Sequence, residues 1–261
     1  DWTRTSHTTG FWECPELFEL PIDGDQSRTK WVMYGASGTY MTGDFDGYKF
    51  TPQSGKHYFS TGSIYAAQTF TNMPDSDNRR IQIGWGRIGH PGMPFNGMMM
   101  LPTELSLRTT KDGIRLFSVP VKEIETLQEL AVKTQSVKAE QANILLKPYN
   151  DNDVLRIKAT IRLSHATDAG LNLYGQELLK YDLNFNLVNG VFYSPEDMTS
   201  MEITADIILD KTSVEVFIDG GAYSYTMERQ ARKDNNEGFR FRGNNIEVKN
   251  LEVYTLKSIW H

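Results

Sequence analysis

The densest concentration of groups able to do chemistry is Gly10-Phe11-Trp12-Glu13-Cys14-Pro15-Glu16-Leu17-Phe18. Two carboxylates stand there among large apolar side chains. A carboxyl group desolvated by such neighbours keeps its proton to higher pH, as a general acid must near neutrality. Pro15 removes a backbone donor and predicts an extended Cys14. Glu13 and Glu16, three residues apart around that proline, are expected to point in different directions. The residues alone leave two readings open. One glutamate is a buried catalytic acid, or both are solvated on an edge strand. Cys14 would need a base or a positive site to act as a thiolate nucleophile, and the nearest histidine in sequence is His7. The expectation for Cys14 is a small buried residue beside Glu13.

Other constellations carry less. The five histidines (His7, His57, His90, His165 and His261) show no metal-ligand spacing. The single cysteine allows no intrachain disulfide and no cysteine-based zinc cluster. No phosphate-binding loop, dinucleotide-binding glycine pattern or Gly-x-Ser-x-Gly elbow occurs. Met93 and Met98-Met99-Met100 are expected to fill irregular core gaps rather than to hold a soft metal. Asp44 and Asp46 flank a turn. Asn150-Asp151-Asn152-Asp153 reads as a loop before a strand, with too few oxygens for a calcium cage. No cofactor and no metal are expected.

The elements that must position Glu13 are strands. Leu155, Ile157, Ala159, Ile161 and Leu163 alternate strictly with polar residues, the pattern of a half-buried antiparallel strand. Val214–Ile218 runs into Asp219-Gly220-Gly221 and then Tyr223, Tyr225 and Met227, which predicts a hairpin over 213–227. Ile246, Val248, Leu251, Val253 and Leu256 predict a last strand with a bulge near Asn250. In the first half, Leu17–Leu20, Lys30–Tyr34, Tyr65–Phe70 and Ile81–Trp85 are predicted strands. Turns at Gly24-Asp25, Gly35–Gly38, Phe45-Asp46-Gly47 and Asp75–Asp77 separate them. After Pro120, Val121, Ile124, Leu127 and Ala131 predict an amphipathic helix over 120–130. A lone helix between strand-rich halves suggests domains 1–127 and 128–261, with sandwich or propeller sheets.

Composition bounds the rest. The 261 residues suit one large or two ordinary domains, and the 39 % hydrophobic content is that of a globular chain. No apolar run approaches the roughly 20 residues of a membrane-spanning helix. A net charge of −6 argues against a nucleic-acid partner. Aromatic residues, at 11 %, suit strands and sugar-binding surfaces.

Trp12-Glu13-Cys14-Pro15-Glu16-Leu17-Phe18 resembles the Glu-Cys-Pro signature of glycoside hydrolase family 32, the invertases, inulinases and levanases. The resemblance runs on in order. It continues through Phe45-Asp46-Gly47, Tyr65-Ala66-Ala67-Gln68-Thr69-Phe70, Ile83-Gly84-Trp85, Leu101-Pro102-Thr103-Glu104-Leu105-Ser106-Leu107 and Asp112-Gly113-Ile114-Arg115-Leu116. It ends with Ser213–Gly220 and Leu256-Lys257-Ser258-Ile259-Trp260. It implies an all-β fold: later blades of a five-bladed β-propeller in 1–127, then a C-terminal β-sandwich in 128–261, joined by a short helix. It implies retaining hydrolysis of β-fructosides, with Glu13 as acid/base and Trp12, Tyr65 and Trp85 lining the sugar site. The implied partner is a fructan or sucrose-type carbohydrate, and the implied location is extracellular or periplasmic.

The departures bear on activity. The family's Asn-Asp-Pro nucleophile and Arg-Asp-Pro stabiliser motifs do not occur in these residues. Ser63 stands where an aspartate is usual, and Gly89 stands near the place of a second tryptophan. The chain beginning at Asp1 is therefore expected to be the C-terminal portion of such an enzyme and inactive alone, with self-association through an unclosed propeller edge. Two other readings stay open: a non-catalytic fructan-binding module, and an assembly protein derived from the family.

Overall fold

A computed structural model describes residues 11–74, 76–163, 168–182, 184–192, 201–231 and 238–259. His7, Gly10, His165, Trp260 and His261 lie outside the described residues. The chain forms two compact units: Asp1–Lys122 with Gly221–Met227, and Glu123–Gly220 with Glu228–His261. Both are built of strands, the all-β class that the resemblance implies.

In the first unit, Glu16–Ile22, Asp25–Tyr34, Thr39–Phe45 and Phe50–Pro52 form an antiparallel meander. Its first turn needs positive φ at two consecutive residues, and Asp23 (φ 55°) and Gly24 (φ 77°) supply it. A second meander joins Ile64–Thr69, Arg80–Gly86, Thr103–Thr110 and Gly113–Pro120. The two meet where Ile22 bridges Leu107 in parallel. The Asp23 carboxylate secures the junction by accepting from the Thr109 backbone N–H at 2.8 Å and its hydroxyl at 2.6 Å. Successive four-stranded meanders are the units from which a propeller is made. Phe18, Leu20, Val32, Tyr34, Leu105 and Leu107 are drawn from both meanders into one buried cluster. A strand from late in the chain, Tyr223–Glu228, pairs in parallel with Ser60–Gly62.

In the second unit, Gln128–Lys138, Ile246–Leu256, Leu155–Leu163, Glu202–Leu209 and Ser213–Ile218 lie side by side, all antiparallel. A second sheet is ordered Val191–Phe192, Leu187–Val188, Gln176–Asp182, Asp168–Leu173, Phe239–Arg242. The alternating apolar residues of 155–163 are buried as expected. On the opposite face, Arg156 is buried and makes a two-point ion pair with Asp206, at 2.9 Å (Nε) and 2.7 Å (Nη2). The predicted bulge is present: Asn250 has φ 48°, and the register with Leu155–Leu163 slips between Lys158 and Thr160.

Two expectations are corrected. The helix over 120–130 is only a 3-10 turn, Lys122–Thr126, and a strand begins at Gln128. Val121, Ile124 and Leu127 recur every three residues, which is the period of a 3-10 turn rather than the 3.6 of an α-helix. The α-helix of this region is Ala139–Leu146, whose Ala139, Ala142 and Leu146 are buried. Of the methionines expected in a core, Met100 is buried, but Met93 and Met99 are exposed. They sit on a short excursion that follows Gly86 and returns as the two-residue strand Met98–Met99.

Candidate active site

Three segments of the first unit converge at Glu13. Ala36 donates its backbone N–H to the Glu13 carbonyl at 2.9 Å, and Ala66 donates to the Ala36 carbonyl at 3.0 Å. The Gln68 amide reaches the Cys14 carbonyl at 3.3 Å. With both carbonyls engaged, the backbone turns. Cys14 has φ 46°, left-handed rather than the extended shape that Pro15 predicts, and it is half-buried. A non-glycine residue held there costs on the order of 1–2 kcal/mol, and such strain concentrates where a side chain must be aimed.

Strand register supplies the next two groups. Tyr65 of Ile64–Thr69 lies directly opposite Trp85 of Arg80–Gly86. The ladder then slips between Tyr65 and Gln68, with Ala66 at φ 48°. This bulge frees Tyr65 from the pleat, and its hydroxyl donates to the Glu13 carboxylate. That hydrogen bond, followed by desolvation and the Glu13 charge, holds the Tyr65 phenol above its ordinary pKa. Tyr65 therefore remains a donor throughout the neutral range. The Arg87 guanidinium lies 4.9 Å over the Tyr65 ring.

The two glutamates do point differently. Glu16 is half-buried and fully engaged. It accepts from the Tyr34 hydroxyl at 2.9 Å, from the Thr69 N–H at 2.9 Å and from the Thr69 hydroxyl. Burial and the Glu16 charge push the Tyr34 phenol upward. Glu13 is exposed and keeps an open face. The apolar enclosure expected from Trp12 and Phe11 is not formed by them. Trp12 is 89 % exposed, and Phe11 packs with Met33 and Met41 under the Lys56 ammonium, 4.6 Å from its ring. The structure thus gathers Glu13, Tyr65 and Trp85 and leaves Trp12 in solvent.

Reading the sequence missed Arg87 and Gly97. Arg87 lies two residues beyond Trp85, so period-2 alternation along the strand direction was a usable signal. Gly97 has φ 79°, and a Cβ there would lie 2.3 Å from the Trp85 indole nitrogen. Gly97→Ala is expected to displace the indole, changing Trp85 fluorescence while the unfolding midpoint of the second unit stays constant. An unaltered emission spectrum would contradict this placement.

Comparison with known proteins bears on the family and the fold. Residues 2–120 match the Glycosyl hydrolases family 32 N-terminal domain. The chain is 28 % identical to a levanase of Bacillus subtilis (strain 168), over 96 % of this chain and 43 % of that protein. It is 26 % identical to an extracellular exo-inulinase of Aspergillus niger, over 97 % of this chain and 56 % of that protein. The crystal structure of exo-inulinase from Aspergillus awamori superposes with a TM-score of 0.71 at 20 % identity, over 95 % of this chain and 57 % of that one. These likenesses support a member of glycosyl hydrolase family 32, whose N-terminal-domain model matches residues 2–120. It spans about half the length of the curated relatives it matches.

Proposed function

We propose that this chain is the acid/base-bearing part of a retaining hydrolase of β-fructosides such as sucrose, inulin or levan. The observation that carries the reading is Glu13. It is the one carboxylate of its motif with an open face, it is gripped by the Tyr65 hydroxyl, and it shares that strand end with Trp85. In the first step Glu13 protonates the leaving glycosidic oxygen while a second carboxylate attacks the anomeric carbon, forming a glycosyl ester. In the second step Glu13 removes a proton from water, which attacks that carbon and releases the second carboxylate. Tyr65 fixes the orientation of Glu13 through both steps. Trp85, 44 % exposed, offers a flat face on which a sugar ring can stack. Trp12, standing in solvent, is available to the same ligand. Extracellular action is supported by the name of the Aspergillus niger relative.

Neither the Asn-Asp-Pro nor the Arg-Asp-Pro motif occurs in the 261 residues, so the attacking carboxylate has no recognisable source among them. These residues by themselves are expected to release no reducing sugar from sucrose, inulin or levan. Turnover by them that Glu13→Gln abolishes would overturn this.

A further inference from the structure

The strands Glu16–Ile22, Ile64–Thr69 and Arg80–Gly86 carry Glu13, Tyr65 and Trp85 at or just beyond one end. Their other ends lead to Pro21, Phe70 and Arg80. At about 3.3 Å per residue, that is roughly 15 Å or more from the first group. Two overlapping hollows of about 580 and 570 Å³ lie there, sharing Leu20, Pro21, Asp77, Asn78, Arg79 and Arg80. The volume falls within the range of small-molecule sites.

The lining selects a ligand class. Glu19, Asp77 and Glu104 balance Arg79, Arg80 and Lys122, so the groove carries no net formal charge. Arg79 grips Asp77 at two points, 2.8 Å (Nε) and 2.6 Å (Nη2), and that bond holds the Asp77 carboxyl down at about 2. Glu19 accepts from the Thr29 hydroxyl, and Arg80 donates to the Thr69 hydroxyl at 3.3 Å. An anion would meet Glu19 and Glu104, and a cation would meet Arg80 and Lys122. A neutral polyhydroxylated ligand can use both kinds of group at once. Asn78 and Gln26 add amides, and Phe70, 46 % exposed, adds the ring face that sugars favour.

We propose that this groove is a second carbohydrate-binding site, separate from the one at Glu13, which holds a short neutral stretch of fructan. That the sugar is fructose rests on the β-fructosidase reading; that it is a neutral oligosaccharide rests on the groove. The site performs no chemistry. It anchors polymer on the protein and raises its local concentration.

The test is calorimetric titration of the wild-type chain, Phe70→Ala and Trp85→Ala with a levan oligosaccharide. Phe70 is half in solvent, so its truncation leaves the fold intact, and an unchanged thermal midpoint verifies that. Wild type is expected to bind, Phe70→Ala to lose tenfold or more in affinity, and Trp85→Ala to keep the Phe70-dependent binding. Binding unaffected by Phe70→Ala, or no binding by wild type, overturns the proposal. Failure of the β-fructosidase reading shows separately, in hydrolysis assays of Glu13→Gln, a residue outside the groove, made in a fructan-cleaving protein that contains this chain.

Discussion

Glu13→Gln, in a fructan-cleaving protein that contains this chain, is expected to lower kcat on levan or inulin by about 10²–10⁴-fold. Glutamine keeps the shape of the side chain and can still meet the Tyr65 hydroxyl. It cannot release a proton to the leaving oxygen or take one from water. On the proposed acid/base role the loss is expected in kcat, with KM nearly constant, because such a group acts on the transition state rather than on sugar binding. Glu16→Gln is a useful contrast. Glu16 is occupied by Tyr34 and Thr69, so its substitution is expected to disturb packing and stability before it disturbs turnover.

The second large effect is on stability. Asp206→Ala is expected to destabilise the second unit by about 3 kcal/mol, the lower part of the range for stranding a buried charge, since Asp206 itself is partly exposed. The Arg156 guanidinium has only 5 % of its side-chain surface in solvent and meets the Asp206 carboxylate with two parallel bonds. Gln128 adds a third contact at 3.2 Å. Removing the carboxylate leaves Arg156 buried with one neutral partner. Replacing both members together with apolar residues of similar volume is expected to recover most of the loss. Denaturant unfolding of the single and double variants measures both. A single variant as stable as wild type would show that the pair contributes nothing net.

Much of the fold was legible because its signals are local. Leu155 to Leu163 alternate, and alternation has one meaning in a sheet with a buried face. Asn250 interrupts the alternation of the last strand by one residue, and one inserted residue is a bulge. The stretch after Pro120 misled because a repeat of three over seven residues fits one turn of helix and fixes neither its type nor its length. What then decided the structure of 128–138 was pairing with Ile246–Leu256, more than a hundred residues away.

At the site, residue types were legible and geometry was not. Glu13, Tyr65 and Trp85 could be named from their motifs. That Tyr65 faces Trp85 depends on strand register, and that it reaches Glu13 depends on a bulge at Ala66. The left-handed Cys14 runs against the preference of a residue before proline. Its carbonyl and that of Glu13 are held by Gln68 and Ala36, and no local rule announces such partners.

The acid/base role of Glu13 is tested most directly by changing the leaving group. Glu13→Gln and wild type, in the fructan-cleaving protein that contains this chain, are compared on levan and on an aryl β-fructoside whose phenol departs without protonation. The glycosylation rate of the variant is expected to fall by about 10²–10⁴-fold on levan and to stay near wild type on the aryl substrate. An equal loss on both substrates would contradict the assignment, because it would make Glu13 a group that holds the sugar rather than one that protonates its leaving oxygen.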